Sequence, residues 1–372
     1  MQRLLWLIPA VLVLFAQAPP KEWPRPSKDA TISIEEYDPK SSLVVPEHPK
    51  TRAKYPIIDF HNHQRGDMPA AQLDKLVKDM DGINLQIMVN LSGSYGDRLV
   101  RNVKGMTGGK YADRFVVFAN LSFEEVDAPD YSERAAKQLE EDFKNGAKGL
   151  KFFKNFGMDL SDKSGVRVKI DDPRFDKAFE MCAKYKRPVM IHTAEPKPFF
   201  MPWDKNNERW LELKQFPSRY RPGDKYPGWE VLMGELYRRI QRHPNVTFVN
   251  AHLGWLGADL GKLGELMDQM PNMMTEIGAV LYDLGRQPRF ARKWFIKYQD
   301  RVLFGKDIWE PSEYHYYFRV LETDDEYFDY YRKRHAFWKM YGLDLPDEVL
   351  KKLYYKNALR IIPGLDASKF PK

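Results

Sequence analysis

Cysteine is almost missing from this chain: Cys182 is the single one in 372 residues. No intrachain disulfide can form, and a cysteine-rich zinc site is excluded. Cys182 falls in the helical pattern Phe179-Glu180-Met181-Cys182-Ala183-Lys184-Tyr185, an ordinary helix position. Glycine-rich phosphate turns of the GxGxxG or GxxxxGK[ST] type are also lacking after the first strand-like segment. That removes the usual dinucleotide and P-loop readings. No block of like charges occurs either. Lys and Arg number 59 against 52 Asp and Glu, a net charge of +7, with the two signs interspersed. Interspersion marks a solvated surface, so no nucleic-acid partner is expected, although a mildly cationic surface would help attract an anionic small molecule. Fibrous repeats are absent, and an apolar content of 43% is ample for a buried core.

No apolar run is long enough for a standard membrane span, which needs about 20 residues. The longest, residues 4–15, follows Arg3 and precedes Ala16-Gln17-Ala18. A short basic start, an apolar run and a small-residue site make a secretory signal peptide, so residues 1–18 are expected to direct export, periplasmic or secreted. Pro19 is a poor neighbour for cleavage, and an uncleaved segment would stay as an anchor. Residues 19–55, rich in Pro, Ser and charge, are expected to form an extended arm, with the folded domain spanning 56–372.

Within that domain, β-branched or aromatic runs alternate with amphipathic stretches. Strands are expected at 56–61, 85–90, 115–120, 149–153, 189–192, 246–250, 273–277 and 302–304. Helical patterns lie at 70–80, 132–144, 174–185, 230–242, 261–269 and 290–298, and the crossover at 98–110 is the least helical. Eight strands, each followed by a crossover, over about 250 residues predict an α/β fold of the (β/α)8 TIM-barrel type. A doubly wound open sheet, the alternative, usually has fewer strands. Two stretches exceed a minimal barrel. Residues 193–229, with several Pro and Trp, form a long loop after strand 5 that should be a lid or pocket wall. Beyond Ile308, an aromatic-rich stretch to about Tyr355 is expected to form C-terminal helices on the barrel.

Histidine is scarce, and its placement carries the functional signal. Of eight histidines, His61 and His63 end strand 1, His192 ends strand 5 and His252 follows strand 6, while Asp307 follows strand 8. In a barrel these ends converge on one mouth. Alternate residues of a strand share a face, so His61 and His63 can reach one ion. His192 and Asp307 can supply a third and fourth ligand while leaving a position open. A His-x-His pair alone is weak, since two turn histidines look the same; barrel order makes the set specific.

The segments Ile57-Ile58-Asp59-Phe60-His61-Asn62-His63, Val189-Met190-Ile191-His192, Val249-Asn250-Ala251-His252-Leu253-Gly254 and Arg301-Val302-Leu303-Phe304-Gly305-Lys306-Asp307 resemble the signatures of the amidohydrolase superfamily. The resemblance runs from about Pro56 to Trp309, to the branch holding hydrolases and decarboxylases of the aminocarboxymuconate-semialdehyde type. It implies a barrel enzyme with one divalent metal, most commonly Zn2+, with Mn2+ or Fe2+ as alternatives. It further implies His61, His63, His192 and Asp307 as metal ligands and His252 as the catalytic proton-handling group. Asp307 would double as the base for an attacking water. Lys306 departs from the family's usual small Ser or Thr, and Ile308-Trp309 from its aromatic-Pro.

The expected activity is therefore metal-dependent hydrolysis of a C–N or C–O acyl bond in a small organic molecule. A non-oxidative decarboxylase on the same residues is the alternative; an exported binding barrel without turnover is disfavoured because all five site residues are present. A homo-oligomer is compatible with the fold. Further residues carry two readings each. Asp59 shares parity with the His pair and is either an anchor behind the ligands or a plain buried carboxylate. Lys151 on strand 4 could bridge two metals; more simply, Lys151 or Lys154 pairs with a substrate carboxylate or is solvated. Glu276 is a pocket residue or part of an internal ion pair, and Glu195 borders the mouth or is a loop charge. His48, His243, His315 and His335 lie off strand ends and read as structural or surface.

Overall fold

The computed structural model describes residues 31–33, 35–333 and 335–372, so the expected signal at 1–18 lies outside the described residues. Residues 31–33 and 35–43 carry no helix or strand and are exposed, and they belong to a unit separate from Val44–Lys372. Residues 44–55 also lack regular structure, yet their backbone is anchored. The His48 amide donates to Asp325 at 2.8 Å, the Ala53 amide to Ile83 O at 3.3 Å and the Lys54 amide to Glu322 at 3.0 Å.

In Val44–Lys372 the strands are β1 (Ile57–Asn62), β2 (Leu85–Asn90), β3 (Phe115–Val117), β4 (Leu150–Phe152), β5 (Val189–Ile191), β6 (Phe248–Asn250), β7 (Met273–Glu276) and β8 (Val302–Leu303). Their Val, Ile, Leu, Phe and Met side chains suit a sheet buried on both faces. The pairings are parallel, in the orders β1-β2-β3 and β4-β5-β6-β7-β8. Backbone bonds join the two arcs. Between β3 and β4, Ala119 donates to Gly149 O at 2.9 Å and Lys151 to Ala119 O at 2.8 Å. Between β8 and β1, Phe60 donates to Phe304 O at 2.9 Å and Asp307 to His61 O at 2.6 Å. The ladder closes, and the fold is a (β/α)8 TIM barrel.

The crossovers contain α1 (Ala70–Gly82), α2 (Gly96–Thr107), α3 (Tyr131–Lys144), α4 (Asp176–Lys184), α5 (Trp229–Arg242), α6 (Leu260–Gln269) and α7 (Pro288–Lys297). The regular helix α2 corrects the expectation for 98–110. Leu99, Asn102 and Met106 are buried on one face with Val103 beside them, and packing of that stripe outweighs the helix-weakening glycines Gly96 and Gly105. A second correction concerns the C-terminal segment. The expected C-terminal helices are present as α8 (Pro311–Glu322) and a helical stretch at 347–361, but residues 323–333 and 335–346 between them are non-helical. There Tyr327 and Asp344 adopt left-handed φ values of 56° and 44°, and Phe328 pairs with Met340 in an antiparallel bridge. The long loop after β5 is broken into short turns and a helix, Trp210–Gln215. It walls a cavity of about 190 Å³ together with Trp255, Tyr282 and Trp338. Among the described residues, no helix is long and apolar enough to cross a membrane.

The layer between barrel and helices is aromatic. Phe152 of β4 stacks on Phe156 and Phe179 at ring separations of 4.4 and 5.4 Å, and Phe179 reaches Phe248 of β6 at 5.5 Å. Because neighbours on a strand face opposite sides, the outward Phe152 directs Lys151 into the barrel. Truncating Phe179 to Ala should cost about 3–5 kcal/mol in urea unfolding, with Phe179→Leu costing less. A loss below about 1 kcal/mol for the Ala variant would contradict the packing described.

Candidate metal centre

The strand ends deliver their side chains to one mouth. His61 lies within β1, and its Nδ1 is 3.0 Å from Glu276 Oε1 at the end of β7. A carboxylate accepts only, so Nδ1 carries the proton and Nε2 presents its lone pair. That Nε2 is buried, makes no hydrogen bond and lies 3.4 Å from Asp307 Oδ1. His63, one residue past β1, places Nδ1 2.8 Å from Ser92 Oγ and Nε2 3.5 Å from Asp307 Oδ1. Ligand atoms of His61, His63 and Asp307 lie within 4.8 Å of one another. Asp307 is held by its amide bond to His61 O, in a left-handed backbone with φ 80°.

His192 and His252 form a second part of the cluster. The backbone turns sharply after β6, with left-handed φ values at His252, Leu253 and Gly254. This brings the His252 amide 2.6 Å from Glu276 Oε1 and its Nδ1 2.7 Å from Gly278 O. The carbonyl fixes the proton on Nδ1, leaving His252 Nε2 to accept from His192 Nδ1 at 3.3 Å. His192 Nε2 is then a bare lone pair, and it too is buried without a partner. His192 lies outside the tight His61–His63–Asp307 group; the His252 ring connects it, 4.5 Å from His192 and 4.8 Å from His61. Trp255 stacks on His252 at 4.5 Å.

Behind the ligands, Asp59 accepts from Tyr314 OH at 2.6 Å, Asn62 at 2.9 Å and the amides of His61 and Lys306 at 3.0 and 3.1 Å. It is an anchor behind the ligands, and burial raises its pKa to about 6. Glu276 accepts from His61, the His252 amide and the Gly278 amide. Burial opposes its charge, yet the His61 and His252 imidazoles and these donors hold it down at about 2. The spacing of the sequence left Glu276 between two readings; the geometry makes it the partner of both His61 and His252. A Cβ at Gly305 would collide with this carboxylate and with His61, so only glycine fits there. Ser92 was not singled out by sequence; its one signal is that it lies two residues past β2, at the same mouth.

The remaining candidates separate clearly. Lys151 is buried with no hydrogen-bond partner for Nζ, and burial lowers its pKa to about 8. Lys154 pairs with Glu195 at 2.5 Å, and Arg221 holds the same carboxylate at 3.2 Å, so Glu195 is an ion-pair residue at the rim. Lys306 is buried, donating to Glu313 at 2.5 Å among the rings of Tyr314, Tyr317 and Tyr331. His48 pairs with Asp325, which Arg319 already holds at 2.6 Å. His243 stacks on Phe179, and His335 lies 3.3 Å from Glu212.

Such a mouth, with imidazoles, carboxylates and a lysine on barrel strand ends, defines a metal-dependent class of barrel enzyme. A sequence profile for a family described as Amidohydrolase matches residues 107–364. The chain belongs to this family and is an enzyme of the metal-dependent amidohydrolase type acting on a small molecule. The match begins after β2, so it includes His192, His252, Glu276 and Asp307 but not His61 or His63. No curated protein sequence matches the chain. Among solved structures, 2,6-dihydroxybenzoate decarboxylase with bound 2,6-dihydroxybenzoate is similar at 15% identity and TM-score 0.52, covering 82% of this chain and 99% of its own. An uncharacterised TIM-barrel protein from Bordetella bronchiseptica has 16% identity and TM-score 0.50, covering 82% and 97%. 5-Carboxyvanillate decarboxylase from Sphingomonas paucimobilis has 16% identity and TM-score 0.48, covering 83% and 99%.

The family implies a divalent ion, and the donor set fits one. Two buried Nε2 atoms, of His61 and His192, have lone pairs and no protein partner, an arrangement that is costly unless a cation takes them. Both imidazoles are held neutral. Burial and then the Lys151 charge lower His61 to about 3, and burial followed by His252 and Lys151 takes His192 well below 6.5. The unfolded chain takes these protons near 6.5 while the folded chain resists them, so stability is lost as pH falls from 6.5 towards 3. Glu276 adds a further loss between its ordinary 4.5 and about 2. Urea unfolding of the metal-free chain should therefore weaken from pH 7.5 to 5, by up to about 1.4 kcal/mol per pH unit for each buried histidine. A flat profile over that range would contradict the neutral, partnerless imidazoles.

Proposed function

We propose that the protein hydrolyses a C–N or C–O acyl bond of a small organic substrate, using one divalent ion held by His61, His63, His192 and Asp307. The observation that carries the reading is the pair of buried Nε2 lone pairs on His61 and His192, each with its Nδ1 proton committed elsewhere. Three imidazoles and one carboxylate favour zinc, with manganese or iron as the alternatives. Bound there, the ion would polarise a substrate oxygen and lower the pKa of water from 15.7 towards 7.

The chain's own groups then divide the work. Asp307, half-buried and held ionised by the histidines around it, accepts the proton of the attacking water. His252 takes up and returns a proton at Nε2, giving up its bond from His192 Nδ1 as it does so, while its Nδ1 stays on Gly278 O. Glu276 keeps His61 in its Nδ1-protonated form and, through the His252 amide, holds the turn that presents His252. The wall made by residues 193–229 with Trp255 and Trp338 would select the substrate. Decarboxylation of an acid by the same groups is the second reading, favoured by the unpaired Lys151 cation. A panel of amides, esters, lactones and carboxylic acids separates the two by the product released.

Export is part of the proposal, supported by Arg3, the apolar run 4–15 and Ala16-Gln17-Ala18. N-terminal sequencing of exported material should then begin near Pro19; an intact Met1 on protein retained in the cytoplasm contradicts it.

Elemental analysis should find close to one divalent ion per chain, the number that four ligands on one site can hold. His192→Ala should lose most of the metal and the activity together. His252→Asn should keep the metal while turnover drops by about 10² to 10⁴, the usual contribution of a general acid or base. If His252→Asn loses its metal while His192→Ala keeps it, the roles are exchanged.

A further inference from the structure

We propose that Lys151 recognises an anionic group of the substrate, so that the small molecule taken at this mouth carries a carboxylate or an equivalent oxyanion. This rests on the metal-dependent reading above and adds the substrate's chemical class to it.

In β4, Leu150 and Phe152 are buried, and Phe152 stacks into the helix layer, which turns Lys151 inward. Its ammonium has three donors, is only 1% exposed and has no hydrogen-bond acceptor in reach. Phe153 locates it at the mouth: the ring lies 5.7 Å from Lys151 Nζ and 5.6 Å from the His63 ring. An ammonium stripped of water and of acceptors is costly, and such groups are retained where they do something.

The nearby carboxylates do not supply the missing partner. Glu276 is committed to His61, the His252 amide and the Gly278 amide. Asp59 is committed to Tyr314, Asn62 and two backbone amides. Glu195 sits between Lys154 and Arg221. Asp307 faces His61 and His63, and an ion held there would add positive charge beside Lys151 rather than neutralise it. The approach is cationic as well. Arg65, Arg98 and Arg101 line the cavity that opens from His63 and Ser92, against one carboxylate, Asp67, which Arg65 holds at 3.2 Å. A substrate anion is the partner that completes this balance of charge.

The test compares benzoate with benzamide, two molecules of one shape that differ in charge, by calorimetric binding to the zinc-loaded full-length chain. Wild type should bind benzoate more tightly, and Lys151→Met and Lys151→Gln should each reduce that preference by about tenfold or more, the scale of one charged hydrogen bond. Benzamide affinity and zinc content should stay as in wild type. Met keeps the aliphatic stem and removes an unpartnered charge, so the thermal midpoint of Lys151→Met should equal or exceed that of wild type. Should neither variant fold, the Lys151 side-chain NMR signal of the wild type should move with benzoate and not with benzamide. The proposal is overturned if wild type shows no preference, if the preference survives both substitutions, or if that NMR signal ignores benzoate. Two zinc ions per wild-type chain, falling to one in Lys151→Met, would also overturn it, by making the lysine a carboxylated bridge between metals. A wild-type chain that holds no zinc at all refutes the metal reading instead, and the same benzoate comparison on that chain still decides Lys151.

Discussion

The Glu276 carboxylate is fully buried at the end of β7 and is stabilised by donors from three places: His61 Nδ1, the His252 amide and the Gly278 amide. Removing any one donor would leave a buried charge short of compensation, so the three elements are held in one register. The same bond sets the tautomer of His61 and turns its Nε2 towards Asp307. His252, fixed by Glu276 on its amide and Gly278 on its ring, then sets His192 in turn. The carboxylate thus decides which nitrogen of His61 is bare, and the Gly278 carbonyl, acting through His252, decides it for His192. A metal site built only from its direct ligands would have no such control, because imidazole rotates and exchanges tautomers freely unless its second nitrogen is tied.

The seam where the barrel closes has a similar logic. Asp59 gathers the amides of His61 and Lys306 with Tyr314 and Asn62, binding β1 to the segment after β8. Lys306, where the family usually has a small residue, fills its space with an ammonium paired to Glu313 and ringed by tyrosines. Arg332 holds the same Glu313 at 2.9 Å, tying the segment after α8 back to that helix beside the mouth. The substitution therefore leaves Asp307 free to face His61 and His63 while coupling its backbone to the C-terminal elements. Lys151 contrasts with Lys306: both are buried cations, but only Lys306 has a carboxylate of its own.

Much of this was legible from residue types. Strands of Val, Ile and Phe with histidines at their ends announced the barrel and its mouth, because alternation and strand order survive in a single sequence. Helix α2 was not legible, since glycines at 96, 105 and 108 hide a stripe that only its burial reveals. Residues 323–333 and 335–346 differ for the opposite reason: their aromatic content suggests helix, while left-handed residues and a bridge make them irregular. Glu276 was visible as a strand-end acid, but its partners come from β1 and from the turn after β6, and no local pattern records such a meeting. The left-handed turn that aims His252 at His192 is equally non-local, as it depends on Glu276 capturing the His252 amide.

Anomalous diffraction at the zinc edge on crystals of the zinc-loaded protein would test the central claim most directly. A single strong peak should appear in the barrel mouth, bonded to the Nε2 atoms of His61, His63 and His192 and to Asp307, with His61 Nδ1 still on Glu276. A peak bonded to His61 Nδ1 and Glu276, or one at His48 and Asp325 with the mouth empty, would contradict the account.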